Sequence, residues 1–303
     1  MKTTGAIMKS TLLAAFLATS VMAGSSCTTQ TRFESPEDAA TALVNAMKTS
    51  DANTLTKMMG NDSRGWLFSG DAVMDKNNQA LFMEQFLNKH TLKKQTAKIY
   101  HLTIGNDEWP FAAPIVACKK QWAFDGEAGA DEILNRRIGE NELGTIQTLL
   151  AIVDAQREYA NNDADKNGVN DYAQKFFSSK DKKDGLYWKS TNGDQSPLGI
   201  LVASASKEGY NKQSAPFHGY TFRILTAQGK AANGGLYNYL QNGKMMGGFA
   251  IIATPAKYGA SGIMSFIVNH DGVVYQKNLG ENSAKKASSI GTFNPDKSWK
   301  EVE

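Results

Sequence analysis

A chain of 303 residues, 41% hydrophobic, 10% aromatic and 21% charged, is long enough to bury two hydrophobic cores and is ordinary in composition for a globular protein. Its formal charge of +3 includes Lys2 and Lys9, both in a leader-like segment, which leaves the remainder at about +1. That balance excludes the concentrated basic surface on which nucleic-acid binding rests, and no run past residue 30 approaches the roughly 18 apolar residues of a membrane span.

The basic start, the apolar stretch from Thr11 to Val21 and the small residues around Ala23 read as a secretory signal. Two processing routes fit it. Val21-Met22-Ala23 suits cleavage after Ala23. Gly24-Ser25-Ser26-Cys27 resembles a bacterial lipobox, in which residues 1–26 are removed and Cys27 becomes the lipidated first residue, although Gly24 stands where an aliphatic side chain is usual. Residues 27–32 then form a polar tether. Cys27 and Cys118 are the two cysteines of the chain, so an exported product either pairs them or uses Cys27 for lipid. With Cys27 lipidated, Cys118 in its apolar run reads as a buried thiol.

Residues 33–126 read as one α+β unit. Ser35-Pro36-Glu37-Asp38 is a helix start, with serine at the N-cap, proline at the first helical position and acids in the first turn. Ala39, Leu43 and Met47 continue the apolar face. Ser50-Asp51 opens a second short helix, with Leu55 and Met58-Met59 inward and Gly60 as its stop. A third helix is predicted from Gln79 to Lys89. Strands follow over Ala97–Ile104, Pro114–Ala117 and Gln121–Phe124, with Trp109-Pro110-Phe111 as a turn. Helices first, then a curling antiparallel sheet that closes on Gln121-Trp122-Ala123-Phe124-Asp125, resemble the NTF2-like cone. Enzymes of that family carry Asp or His inside the cone. Here Asp71, His90, His101 and Asp125 lack any diagnostic spacing, so structural roles are expected for them.

Asp131-Glu132 starts a helix that reaches about Ile138, and Gly139 is expected to interrupt it before it resumes to about Tyr159. Ile146, Leu149, Leu150 and Val153 fall at the spacing of one buried face. Arg136 and Arg137, facing Glu140 and Glu142, read as solvated ion pairs. The loop that follows is more specific. Asp163, Asp165, Asn167, Gly168 and Asp171 match positions one, three, five, six and nine of an EF-hand-type calcium loop, whose alternating oxygens suit a hard cation. Position twelve is Gln174 rather than a bidentate Glu, so a plain Asx-turn loop competes. Calcium is the one cofactor the sequence names.

Residues 127–303 read as a second α+β unit, in which strands follow the long helix. Gly219–Ala227 alternates Phe222 and Ile224 with Arg223. Asn242-Gly243 is a hairpin signal between Leu236–Leu240 and Gly247–Ala253, and Asn269-His270-Asp271-Gly272 is another between Ile263–Val268 and Val273–Gln276. This order of long helix, Asp/Gly loop and antiparallel strands is similar to the globular part of type IV pilins and pseudopilins, which pack such a sheet on the C-terminal half of a long helix. The apolar N-terminal half-helix of a pilin is absent, so assembly into a pilus by the usual helix bundle is not expected. Across the chain, the run from Arg136 to Leu143, Ala155-Gln156-x-Glu158-Tyr159, Asp184-Gly185-Leu186-Tyr187-Trp188 and His218-Gly219-Tyr220 resemble a bacterial envelope family, domain of unknown function 2950 (DUF2950). The resemblance implies an exported location and no mechanism.

No catalytic residue is assigned. The expectation is a two-unit, secreted or lipid-anchored envelope protein that binds a partner or small ligand and touches the membrane only through a lipid. Arg136, Arg137, Trp188 and His218 form its candidate surface site. The alternatives are an envelope-polymer hydrolase, drawing on His218 with Asp184 or Glu140, and an accessory of pilus or secretion assembly. A serine hydrolase is disfavoured, because Gly259-Ala260-Ser261-Gly262 falls short of the Gly-x-Ser-x-Gly elbow. The lipobox reading predicts a diacylglyceryl-modified Cys27 as the mature N-terminus; mass spectrometry that finds an unmodified chain starting at Gly24 removes the lipid anchor.

Overall fold

In the computed structural model, which describes residues 30–190, 193–210 and 216–302, local capping chemistry sets the first elements. Ser35 caps α1 (Pro36–Lys48) by accepting from the Asp38 amide, and Ala39, Leu43 and Ala46 turn inward. Asp51 caps α2 (Ala52–Met59), which ends at Gly60 with φ of 106°. After a short 3-10 turn come α3 (Arg64–Leu67) and α4 (Ala72–Asn88). The last begins seven residues before the expected Gln79. Its cap, Asp71, takes the amides of Val73 and Met74, while only Phe86 is buried along it, so the apolar period that marks a helix is weak.

Five antiparallel strands follow: β1 (His90–Thr96), β2 (Ile99–Ile104), β3 (Trp109–Pro110), β4 (Ile115–Cys118) and β5 (Gln121–Phe124). Their order is β1-β2-β4-β5, with β3 also on β2. Two expectations change here. Strand β1 was not foreseen, because an edge strand exposed on nearly all its residues shows no apolar alternation. Trp109-Pro110 is a paired segment opposite Thr103 and Ile104 rather than a turn.

The expected break at Gly139 does not occur. Helix α5 (Gly126–Asn161) runs unbroken for 36 residues. A single internal glycine costs about 1 kcal/mol relative to alanine, which packing at both ends offsets. At the start, a Cβ on Gly126 would run into the Met59 carbonyl, and one on Gly129 would lie 2.8 Å from Ala113, so the helix approaches the first unit as closely as backbone allows. Ala130, Ile133 and Leu134 join the hydrophobic cluster built by α1, α2 and the first sheet. Further along, Ile146, Leu149, Ile152 and Val153 join a second cluster. Leu150, expected on the buried face, is 41% exposed, and Ile152 lies inward instead.

Beyond α5, an aromatic segment leads to α6 (Gly199–Glu208) and β6 (Tyr220–Leu225). Two small ribbons follow, β7 (Ala227–Gln228) with β8 (Tyr237–Asn238) and β9 (Leu240–Gln241) with β10 (Lys244–Met245). Asn242 and Gly243, both at positive φ, close the second as predicted, but its strands are two residues long, and the long strand begins only at Ala250. Strands β11 (Ala250–Pro255), β12 (Met264–Asn269) and β13 (Val274–Asn278), then α7 (Ser283–Ser289) and β14 (Lys300–Glu301), complete the chain. The second sheet is antiparallel in the order β14-β13-β12-β11-β6. Alternate residues of β6 point to opposite faces: Phe222 lines a cavity beside α5, while Arg223 donates to the Ala287 and Ile290 carbonyls at α7. The architecture is therefore mixed α+β with two open antiparallel sheets and one helix serving both clusters.

Polar contacts close the junction between them. The Asp71 carboxylate, 2% exposed, accepts from Val73 and Met74 at 3.1 Å, from the Tyr210 hydroxyl at 2.9 Å and from the Gly219 amide at 3.0 Å. Asn141 donates to the Ser261 carbonyl, Glu142 accepts from the amides of Ile263 and Met264, and Asn77 donates to the Glu208 carbonyl. Gly219, at φ of 75°, lets the backbone reach Asn141, whose Nδ2 would lie 2.6 Å from a Cβ there. Removing a buried carboxylate strands four donors, whereas removing one hydroxyl loses one bond. We expect Asp71→Ala to lower stability by about 2–4 kcal/mol and Tyr210→Phe by about 1 kcal/mol in urea unfolding. Equal costs for the two would show that the carboxylate is not the joint.

Candidate functional site

Each of the four residues singled out as a surface site has its own partners. Arg136 pairs with Glu132, donates to the Pro110 carbonyl and stacks its guanidinium 4.6 Å from the Trp109 ring. Arg137 donates to the Leu67 carbonyl between α3 and α5; burial lowers its pKa, opposed by the charge of Asp75. Trp188 donates its indole N–H to Asp194 under the Lys183 ammonium. His218, at φ of 48°, holds Glu208 through Nε2 at 2.7 Å. Among the described residues, no hydrogen bond, ion pair or ring contact joins any two of the four.

The carboxylates considered with His218 lie elsewhere. Asp184 binds the Lys175 ammonium at 2.7 Å and the Ser179 amide at 2.7 Å, and these bonds, the lysine foremost, depress its pKa to about 2. No described contact links Glu140 to the imidazole, and its actual partner, Glu208, sits on a helix the sequence did not announce. In the first unit the scattered candidates are structural. Asp71 and Asp125 cap helices, His90 stacks on Phe86 with centroids 3.9 Å apart, and His101 contacts Gln95. Cys118 is buried as expected, at 2% exposed, but it is disulfide-bonded rather than a free thiol, which departs from the expectation tied to a lipidated Cys27. The chain's other cysteine, Cys27, lies outside the described residues, as do the leader and residues 27–29 of the tether.

The acidic loop does come together, but around its own hydrogen atoms. Asp163 accepts from the amides of Asn167 and Gly168, as a first-position aspartate would. The Asn167 side-chain amide then donates to both Asp165 and Asp171, where a cation would otherwise draw those oxygens. Its own oxygen accepts from the Val169 amide and from the Lys244 ammonium at 2.8 Å, a fixed positive charge against a ligand position. Gln174, at position twelve, turns away to the Gly243 carbonyl. Among the described residues no group of three or more His, Cys, Asp or Glu is placed to hold a metal.

What the fold builds that the sequence did not show is a cavity of about 310 Å³ enclosed by α5, α6, β6 and the aromatic segment between the helices. Phe176, Phe177, Tyr187, Tyr210, Phe217 and Phe222 supply its rings. Leu201, Val202 and Ala205 of α6 form an aliphatic wall opposite Thr148 and Ile152 of α5. Among the described residues, no carboxylate, amine, guanidinium or imidazole lines it. The Asp184 clip on Ser179 and Lys175 fixes the turn that carries Phe176 and Phe177, and Gly185 allows that turn to close, since a Cβ there would lie 2.8 Å from the Phe177 backbone. Tyr210 donates its hydroxyl to Asp71, so it turns its ring to the cavity, and burial together with that carboxylate raises its pKa. A second recess, about 540 Å³, lies along residues 255–259 and the start of α7, but its Lys257 ammonium is already directed to the carbonyls of Gly65 and Phe68.

A family model described as "Protein of unknown function (DUF2950)" matches residues 30–302. Comparison with curated proteins and with solved structures finds no match.

Calcium would have to displace the Asn167 amide and the Lys244 ammonium from these positions, so we expect the protein's melting temperature to differ by less than about 2 °C between calcium and a chelator. A larger rise with calcium that Asp163→Ala abolishes would assign the loop to the ion.

Proposed function

The chain belongs to the DUF2950 family, whose description carries no activity, and on that premise we propose that it is an exported, non-enzymatic binding protein of the cell envelope that holds a small ligand in the α5–α6 cavity. One observation carries this reading: the cavity is walled by rings and aliphatic side chains, while the chain's His, Arg and acid candidates are engaged by separate partners outside it. Catalysis requires a nucleophile or water, a base and a stabiliser converging on one point, and an apolar pocket with few polar groups is instead the usual form of a binding site. Export is supported by the signal-like leader and by a bonded Cys118, since disulfides persist in oxidising compartments. A lipid on Cys27, the one route to membrane attachment on this reading, is the alternative to pairing with Cys118, since one sulfur cannot carry both bonds.

The order of helices and curled sheet in residues 33–126 supports an NTF2-like first domain, and the sheet laid on the C-terminal part of α5 supports a pilin-like second domain over residues 127–303. The N-terminal part of α5 packs on the first cluster, so it is not free to enter a pilus-type helix bundle. A second reading, the hydrolase, keeps one supporting feature: the carboxylate-held imidazole of His218 stacks on Phe217, a cavity wall, with centroids 4.1 Å apart.

Native mass spectrometry of the exported protein separates the two. We expect the wild-type chain to carry a small molecule that is released chemically unchanged on denaturation, and Ala205→Trp, which fills the cavity, to carry none. A molecule retained equally by both variants would place the site elsewhere. An altered product whose yield falls with His218→Ala would favour the hydrolase.

A further inference from the structure

The ligand class follows from what the cavity walls can and cannot pair. Resting on the reading of this cavity as a binding site, we infer that its occupant is a neutral, ring-bearing molecule with one hydrogen-bond donor, held by Thr148.

Size comes first. A volume of about 310 Å³ corresponds to roughly ten waters at ~30 Å³ each, which is the room a two-ring molecule of about a dozen non-hydrogen atoms requires.

Charge comes next. Among the described residues, the charged groups bonded to the lining or its neighbours are already committed: Glu208 to His218 at 2.7 Å, and Asp71 to the Tyr210 hydroxyl and the Gly219 amide. An ionised ligand would leave water without finding a counter-ion among the described lining residues, the costliest form of burial. The occupant is therefore neutral.

Shape is set by the rings. Phe177 and Tyr187 meet edge to face at 5.8 Å and 74°, and Tyr210 and Phe217 do so at 5.0 Å and 73°. All four rings line the space, and aromatic rings pack on such surfaces by offset or edge contact. Leu201 and Val202 cover the opposite side.

Polarity rests on Thr148, which is 7% exposed and lines the cavity. Its hydroxyl donates back to the Gly144 carbonyl at 2.8 Å, so its hydrogen is committed while the oxygen lone pairs remain able to accept. A hydroxyl or N–H on the ligand matches that acceptor, which belongs to the one buried residue among the four hydroxyl-bearing residues described in the lining, Thr148, Tyr187, Ser206 and Tyr210. The Tyr210 hydroxyl cannot serve, because Asp71 takes it.

Entry is through α6. This helix contributes four residues to the cavity, yet none of its ten is buried, and Ile200 is 83% exposed. It is the wall with the least packing to lose on opening.

Isothermal titration with 2-naphthol, 2-naphthoate, naphthalene and n-decanol tests the proposal on the full exported chain. We expect 2-naphthol to bind at least about 10-fold more tightly than 2-naphthoate, which carries the same rings with a charge, and more tightly than decanol, which is neutral without rings. Thr148→Val, close to isosteric, should weaken 2-naphthol by about 3- to 10-fold and leave naphthalene unchanged. Naphthoate binding as tightly as naphthol, decanol binding more tightly, or equal losses for naphthol and naphthalene in Thr148→Val would each overturn the ligand class. No binding of any of the four, or binding that survives Ala205→Trp, would instead overturn the reading of the cavity as a site. A circular dichroism melt of both variants confirms that they fold as the parent does.

Discussion

A helix of 36 residues is about 54 Å long at 1.5 Å per residue, and it holds its length only while its hydrogen-bond ladder stays intact. Both hydrophobic clusters are packed on this one rod, so the separation and orientation of the two sheets are fixed by the integrity of α5. Gly126 and Gly129 permit the close approach at one end, and Leu149, Ile152 and Val153 supply burial at the other. The stretch between them, around Gly139, is held by neither cluster. There the polar junction takes over, through Asn141, Glu142 and the buried Asp71.

Asp71 does two jobs with one carboxylate. It caps α4 by local contacts, and it receives donors from Tyr210 and Gly219 across the junction. Charge-assisted bonds of this kind, fully paired, favour one arrangement over its neighbours, because every displaced donor would be left buried and unpaired. The same contact turns the Tyr210 ring into the cavity. The walls of the cavity and the joint between the two halves therefore share a residue, Tyr210.

The distribution of polar chemistry separates structural from functional reading throughout the chain. Residues that attract attention in the sequence, namely the arginine pair, the acidic loop, the histidines and Asp184, are engaged in salt bridges, caps, stacking and turns. The acidic loop shows two uses of one set of oxygens competing. Its oxygens are spaced for a cation, but an amide and an ammonium already face them. Phenylalanines and tyrosines that look like ordinary core instead form a cavity to which a ligand class can be assigned.

Local signals were legible in the amino-acid sequence because they act over a few residues: the Ser35 and Asp51 caps, the Gly60 stop, the Asn242-Gly243 turn, the alternation in β6, and with them the α+β class and the family motifs. Elements without a periodic apolar face stayed hidden. Strand β1 is exposed on both sides, α6 has no buried face, and the packing that carries α5 through Gly139 comes from residues outside the helix. The cavity and the junction were decided by tertiary structure alone. Thr148 and Phe222 come to the same space from opposite ends of the segment, and Asp71 meets Gly219 from 148 residues away. No local rule encodes such meetings, because they depend on how two sheets are seated on one helix. What the sequence determined by itself is which segments fold and how they begin and end; what they enclose was settled only when their faces were brought together.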